Sequence, residues 1–375
     1  MTHVHTQARR SFMKNMAAAA AAASLPAITF AQNTPVTEHK FAPQAGTWRS
    51  FEVTTRVNIL KPQGVTRLWL PIPSVNTDWQ QSLGSVFSSN GKTQITSDGR
   101  YGAQMLYVEF AENEAKPFVE LTSQVQTQNR SVDWAHPQAA TEDQAALSYW
   151  TQPTHLLPTD GIVRKTALQA ILGARTDVEK AQQLYDWVVV NTFREPKVQG
   201  CGEGEIQTML ETGNLGGKCA DLNALFVGLC RSVGLPARDV YGIRLAPSAF
   251  GYKQLGGNPA SLQGAQHCRA EVYLKHFGWV AMDPADVTKV MRQETPEWIK
   301  SPNNALVTPV NKALFGSWEG NWMAYNTAHD VTLPHATGPR LGFLMYPIAE
   351  TAAGRLDSYA PDDFKYQISA REIAA

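Results

Sequence analysis

The hydrophobic period of the chain changes part-way along, and that change limits the folds open to it. From Thr47 to about Asp133 apolar and polar residues alternate in short runs, as in Ser50-Phe51-Glu52-Val53-Thr54 and Met105-Leu106-Tyr107-Val108-Glu109-Phe110. A period of two is that of a strand with one buried face. Turn clusters at Lys61-Pro62-Gln63-Gly64, Ser89-Asn90-Gly91 and Ser97-Asp98-Gly99 separate the runs, and Leu70-Pro71-Ile72-Pro73 prevents a long central strand. Residues 46–133 are therefore expected to form an antiparallel β-sandwich. The segment carries no cluster of His, Cys, Asp or Glu at suggestive spacing, so its expected role is packing or substrate positioning.

Past Trp134 to Thr141 the spacing turns helical. Ile162, Leu168, Ile171 and Leu172 share one candidate helix. Thr176 and Glu179 fit a capping box, after which Leu184, Trp187, Val188 and Phe193 supply a stripe that ends before Pro196. With 375 residues the chain has room for two compact domains. Residues 145–300 are expected to form the second, of α+β class, with 301–375 as a tail folded back onto it. The aromatic pair in Trp318-Glu319-Gly320-Asn321-Trp322 reads as packing rather than as a ligand groove. Lys+Arg of 33 balances Asp+Glu of 33, which gives no sign of a nucleic-acid partner.

At the amino terminus Arg9-Arg10-Ser11-Phe12-Met13-Lys14 leads into an alanine-rich run from Met16 to Phe30. This resembles a twin-arginine export leader, and the run is short of the roughly 20 strongly apolar residues of a spanning helix. Residues 1–31 are expected to be a signal peptide cleaved near Ala31, which implies a periplasmic protein with no stable membrane span after its removal.

Four cysteines, none in a C-x-x-C pair, are too few for a disulfide scaffold and must be judged singly. The segment Gly216-Gly217-Lys218-Cys219-Ala220-Asp221 reads as a loop feeding a helix, with Leu222, Leu225, Phe226, Leu229 and Val233 as its core stripe and Gly234 and Pro236 as stop signals. Cys219 then sits in the first turn, where unpaired N–H groups and the helix dipole favour a thiolate. The two glycines are expected to let the backbone approach a bound carbonyl, and the Cys219 amide to donate to an oxyanion. Cys230 falls about three turns on and reads as a small core residue. Cys201, in Gly200-Cys201-Gly202-Glu203-Gly204, lies on a flexible loop that could reach Cys219 and form a regulatory disulfide in an oxidising compartment.

In Gln266-His267-Cys268-Arg269-Ala270-Glu271-Val272-Tyr273-Leu274 the alternation puts His267, Arg269, Glu271 and Tyr273 on a polar strand face, pointing away from the core. A second strand, Trp279 to Asp283, follows and is stopped by Pro284. If Leu274 opposes Gly278 across a three-residue loop, Asp283 opposes Arg269 and lies diagonal to His267, about 7–8 Å away at Cα. A tight two-residue loop would put it on the other face. Cysteine, base and orienting carboxylate are the parts of a thiol nucleophile activated for acyl transfer.

The blocks Gly217-Lys218-Cys219-Ala220-Asp221, His267-Cys268-Arg269-Ala270-Glu271-Val272-Tyr273 and Gly278-Trp279-Val280-Ala281-Met282-Asp283-Pro284 together resemble the transglutaminase-like superfamily over roughly Thr176 to Asp286. The resemblance implies a papain-like core, with a cysteine-bearing helix packed on an antiparallel sheet, and Cys219, His267 and Asp283 as catalytic residues. Asn214, in the loop before Cys219, is the candidate second oxyanion donor. The activity implied is acyl transfer at an amide bond through a thioester, on a protein or peptide substrate and without metal or organic cofactor. Hydrolysis is favoured over cross-linking, since no calcium-loop pattern is present. The rival is an inactive binding module that keeps the fold.

Overall fold

The computed structural model describes residues 40–138 and 141–373, so the expected leader lies outside the described residues. Strands β1 (Arg49–Ile59), β2 (Thr66–Pro71), β3 (Gln80–Ser89), β4 (Lys92–Ser97), β5 (Gln104–Phe110) and β6 (Phe118–Thr127) form two antiparallel sheets. In the first, β1 and β3 flank β6; in the second, β2 and β4 flank β5. Along β1 the buried residues are Phe51, Val53, Thr55, Val57 and Ile59, the alternation of a half-buried strand.

The second sheet departs from that expectation. Trp69, Tyr107 and their neighbours on both faces of β2 and β5 are buried. The outer face is covered by the segment around Pro334, whose carbonyl accepts the Trp69 indole N–H at 2.9 Å, and by His335, 5.1 Å from the Tyr107 ring.

The other half is built around four of its longer helices and a four-stranded sheet. Helix α1 spans Gly161–Ala170 and buries Val163 and Ala167; the expected stripe is displaced, and Leu168 and Leu172 are exposed. Helix α2 (Asp177–Asn191) starts on the expected box, with the Glu179 N–H donating to Thr176 Oγ1 at 3.2 Å and the Thr176 N–H to Glu179 Oε2 at 3.0 Å. Helix α3 (Cys219–Ser232) is buried along its whole length, not on one stripe alone. It ends as a Schellman motif: Leu235 N–H reaches the Cys230 carbonyl at 3.0 Å and Gly234 N–H the Arg231 carbonyl at 3.0 Å, with Gly234 at φ +83°. Truncating Leu225 or Phe226 in such a helix costs about 2–5 kcal/mol.

Helix α3 packs on an antiparallel sheet of β7 (Ala237–Arg244), β8 (Gln266–Leu274), β9 (Gly278–Met282) and, after helix α4 (Pro284–Gln293), β10 (Trp322–Asn326). The order is β9-β8-β7-β10. A helix on an antiparallel sheet, beside two further antiparallel sheets, makes an α+β protein.

The carboxyl-terminal residues do not form a tail on this half alone. Strands β11 (Ile348–Thr351), β12 (Gly354–Arg355) and β13 (Phe364–Ile373) return to the sandwich, β11 pairing with β2 and β13 with β1 over its full length. The reason is the free edge that β1 and β2 would otherwise expose. The two halves are also joined by Gln80, which exchanges hydrogen bonds of 2.7 and 2.8 Å with the Ala324 backbone, and by Trp79, packed on Trp318 and Trp322. One apolar cluster runs from Val57, Leu68 and Phe110 in the sandwich to Cys219 and Leu222 at the head of α3.

Candidate active site

The head of α3 is held by its own Asp221. That carboxylate accepts the Lys218 N–H at 2.8 Å and the Glu203 and Gly204 N–H groups at 2.9 and 3.0 Å, tying the Cys201 loop to the helix start. The Ala220 N–H donates to the Cys201 carbonyl at 2.9 Å. Among the described residues the Cys219 N–H has no acceptor. Gly216 and Gly217 are demanded by packing: a Cβ would meet the Phe193 ring at 2.5 Å or Asp221 Cβ at 2.6 Å. They make room for protein, where the sequence suggested room for a bound carbonyl.

The hairpin has the expected register, with Leu274 opposite Gly278 and Ala270 opposite Met282. Gly278, at φ +69°, supplies the left-handed residue of the three-residue loop. Strand β9 stops at Met282, and Asp283 becomes the N-cap of α4, followed by Pro284 at its first position. His267 Nε2 lies 2.7 Å from Asp283 Oδ2, so side chains bridge the diagonal. The other oxygen, Asp283 Oδ1, accepts the Asn223 amide at 3.2 Å and the Asp286 N–H at 3.1 Å.

His267 does not point into solvent. It is 3% exposed and Asp283 is fully buried. Both faces of β8 are covered, because ion pairs and aromatic rings neutralise its polar side: Glu271 is paired with Arg130 and Arg238, and Arg269 lies 4.6 Å above the Trp322 ring. The two tryptophans brace the site backbone, Trp322 donating to the His267 carbonyl at 2.9 Å and Trp318 to the Met282 carbonyl at 3.2 Å.

A second carboxylate, which the sequence reading missed, completes the cluster. Asp286 Oδ2 is 3.3 Å from His267 Nε2, and its Oδ1 is 2.6 Å from Arg244. Its place one turn after the Asp283 cap is the sequence signal that could have found it. Burial and Arg244 push the imidazolium of His267 down, but Asp286 and Asp283 outweigh both and raise its pKa to about 9. Burial would raise the Cys219 thiol; hydrogen bonds with Cys201, Cys268 and His267 reverse this and hold it well below the ordinary range. The Cys201 thiol is pushed up by the same contact with Cys219. All four cysteines are free thiols, and Tyr346 Oη donates to Cys201 Sγ at 3.0 Å.

Cys219 and His267 line a common cavity of about 330 Å³. Its walls include Gln266 from β8 and Ser358, Tyr359 and Tyr366 from the carboxyl-terminal segment. The sandwich half therefore contributes to the site through the strand that it captures. Gln266 accepts the Gly264 N–H at 3.0 Å with Oε1, which leaves its buried Nε2 without a partner among the described residues. Asn214 is not part of this wall. It is exposed, and its Oδ1 accepts the Gly216 N–H at 3.4 Å in a local turn.

Ligand atoms of His267, Asp283 and Asp286 lie within 4.8 Å of one another and could in principle hold a cation. The Arg244 guanidinium already occupies Asp286 Oδ1 at 2.6 Å.

The profile of the transglutaminase-like superfamily matches residues 164–284. An uncharacterized protein of Haemophilus influenzae is 34% identical over 344 residues, which is 86% of this chain and 91% of the relative. The chain belongs to the transglutaminase-like superfamily. A crystal structure of a cysteine-protease candidate from Cytophaga hutchinsonii shares the fold of this transglutaminase-like chain, with TM-score 0.50 at 15% identity over 88% of this chain and 99% of that one. The periplasmic domain of TgpA from Pseudomonas aeruginosa aligns at 16% identity and TM-score 0.35 over 71% of this chain and 93% of that one. Among the described residues no helix of the transglutaminase-like chain is long and apolar enough to cross a membrane.

Proposed function

We propose that the protein is a cysteine-dependent acyl-transfer enzyme that attacks an amide carbonyl with Cys219 and passes the acyl group to water. The observation that carries this reading is the constellation: Cys219 at the head of α3 lines one cavity with His267, whose Nε2 lies 2.7 Å from Asp283, and these contacts hold the thiol well below its ordinary range while His267 is raised to about 9. At neutral pH this favours a thiolate beside an imidazolium, the reactive form of such a pair.

Sulfur forms a bond to the carbonyl carbon, and the carbonyl oxygen takes the negative charge. The free Cys219 N–H and the unpartnered Gln266 Nε2 are the donors that fit an oxyanion. The C–N bond then breaks, and His267 gives its proton to the leaving amine. Neutral His267 next takes a proton from water, whose oxygen displaces the thiolate from the thioester. Asp283 keeps the ring on its Nε2 hydrogen bond, which leaves Nδ1 for these transfers. Export to the periplasm through the amino-terminal leader belongs to the same proposal, as does a peptide or protein substrate.

p-Nitrophenyl acetate tests the acyl-enzyme without knowledge of the natural donor. A burst of about one p-nitrophenolate per chain is expected, with acetate on Cys219 by peptide mass spectrometry and no burst in Cys219→Ala. A protein that folds, binds and gives no burst is the inactive binding module instead.

A further inference from the structure

The cavity over Cys219 has one sign of charge. Arg194, Lys218, Arg244 and Lys289 line it, and its wall contains no aspartate or glutamate. Arg244 is neutralised by Asp286 at 2.6 Å. Among the described residues the others form no ion pair: Arg194 Nε donates to the neutral Gln293 amide at 3.2 Å and Lys289 Nζ to the Gln254 carbonyl at 2.6 Å, while Asp221 and Asp286 act on Lys218 and Lys289 only from a distance. Burial and the neighbouring Arg244 and Arg194 depress Lys289 to about 8, even against the pull of Asp286. Burial and Arg194 likewise lower Lys218. These cations therefore work against one another in a partly closed space.

The thiolate does not cancel them, because its charge is balanced by the His267 imidazolium. Nor is positive charge a general property of this face. Across Tyr346 and Tyr359 a neighbouring cavity of about 610 Å³ is lined by Glu203, Glu205, Asp330 and Asp357, with Arg340 and His155. The cationic wall is local to the sulfur.

Building on the acyl-transfer reading, we propose that this cavity binds a carboxylate of the acyl donor, held by Arg194, Lys218 and Lys289 close to the carbonyl that Cys219 attacks. The donor is then an acidic peptide fragment, recognised by charge at the reacting end. The carboxylate belongs either to a peptide carboxyl terminus or to an aspartate or glutamate side chain; both offer the same two oxygens to the same cations. Relief of the repulsion among these cations on binding adds to the attraction.

Two alkylating agents that differ in one charge test this without the natural substrate. Iodoacetate and iodoacetamide are each reacted with the reduced protein, and the rate ratio at Cys219 is compared with that for N-acetylcysteine. The expected ratio, iodoacetate over iodoacetamide, exceeds that of the free thiol by about tenfold or more, as for a cleft that concentrates one sign of charge. It falls towards the free-thiol value in Arg194→Gln with Lys289→Met; both reagents attack the same thiolate, so any change in its ionisation cancels in the ratio, and circular dichroism reports the fold. In the wild type, added salt should lower the iodoacetate rate and leave the iodoacetamide rate nearly unchanged.

A wild-type ratio equal to that of N-acetylcysteine overturns the proposal. So does a parallel loss of both rates in the variant with its fold intact, since the cations would then serve the thiolate alone. A sluggish iodoacetamide reaction of the wild type at neutral pH is a separate outcome, counting against the acyl-transfer reading rather than against the charge of the cavity. The source of the carboxylate follows from protection against iodoacetamide. Protection by acetyl-dialanine assigns a terminal carboxylate and protection by acetylglutamate amide a side-chain one. Equal protection by acetyl-dialanine amide overturns the proposal.

Discussion

Replacing Asp283 by Asn changes one charge in the candidate site while keeping its shape, and its effect can be worked from the hydrogen bonds. Asp283 Oδ1 accepts from Asn223 at 3.2 Å and from the Asp286 N–H at 3.1 Å, so an asparagine would keep its oxygen there and retain the N-cap of α4. Its amide nitrogen would then face His267 Nε2, where Oδ2 now stands at 2.7 Å. Two donors cannot share that bond, so the ring N–H at Nε2 loses its 2.7 Å acceptor and is left with the longer 3.3 Å contact to Asp286 Oδ2. The rise of His267 from 6.5 to about 9 is worth about 3 kcal/mol on the imidazolium, and Asp283 and Asp286 share it. Loss of roughly half of that stabilisation, together with the weaker hold on the ring, should slow acylation by p-nitrophenyl acetate by about 10- to 100-fold. The thermal midpoint should move little, because the cap survives. Stopped-flow burst rates across pH 6 to about 10 are the assay. A rate within about threefold of wild type, with its alkaline limb still near 9, would refute the assignment of Asp283 as the orienting carboxylate.

Three further outcomes follow from the same geometry. Because His267 is raised to about 9 in the fold from 6.5, its contribution to stability is complete below pH 6.5 and lost as pH rises through about 9; melts of wild type and His267→Gln against pH should converge above that point. Gln266→Glu keeps the acceptor for Gly264 but replaces the free donor by a carboxylate, and should lower the acylation rate by about 100-fold, whereas Asn214→Ala should leave it within about twofold. Gly202→Ala puts a Cβ 1.8 Å from Asp221 Oδ2 at a residue of φ +90°, and should destabilise the protein by about 2–4 kcal/mol in urea melts.

Local chemistry made part of this structure readable. Thr176 and Glu179 carry the whole capping box within four residues, and Gly278 with the alternation of β8 and β9 fixes the hairpin register that brings His267 to Asp283. What was not readable depends on partners far away in the chain. Nothing within Phe364–Ile373 says that it pairs with Arg49–Ile59, so the sandwich looked complete without it and the carboxyl-terminal wall of the cavity went unseen. The same blindness put His267 on an open face, because Trp318 and Trp322, which close that face, follow β8 by about fifty residues. Asn214 is near Cys219 in sequence only, and the αL turn at Gly213 leaves it exposed outside the cavity wall. Gln266, next to the histidine, carries no signal in sequence, because only the fold shows that its amide nitrogen has no partner among the described residues.

Catalysis in this reading depends on Cys219 being an activated thiolate paired with His267. The direct measurement is the iodoacetamide reaction rate of Cys219 in the reduced protein as a function of pH, with the site located by peptide mass spectrometry. The expected rate persists well below pH 8.5, about the pKa of a free thiol, and in His267→Gln shifts to the higher pH of an ordinary buried cysteine. A wild-type rate that rises only above about pH 8.5, unchanged in the variant, would contradict it.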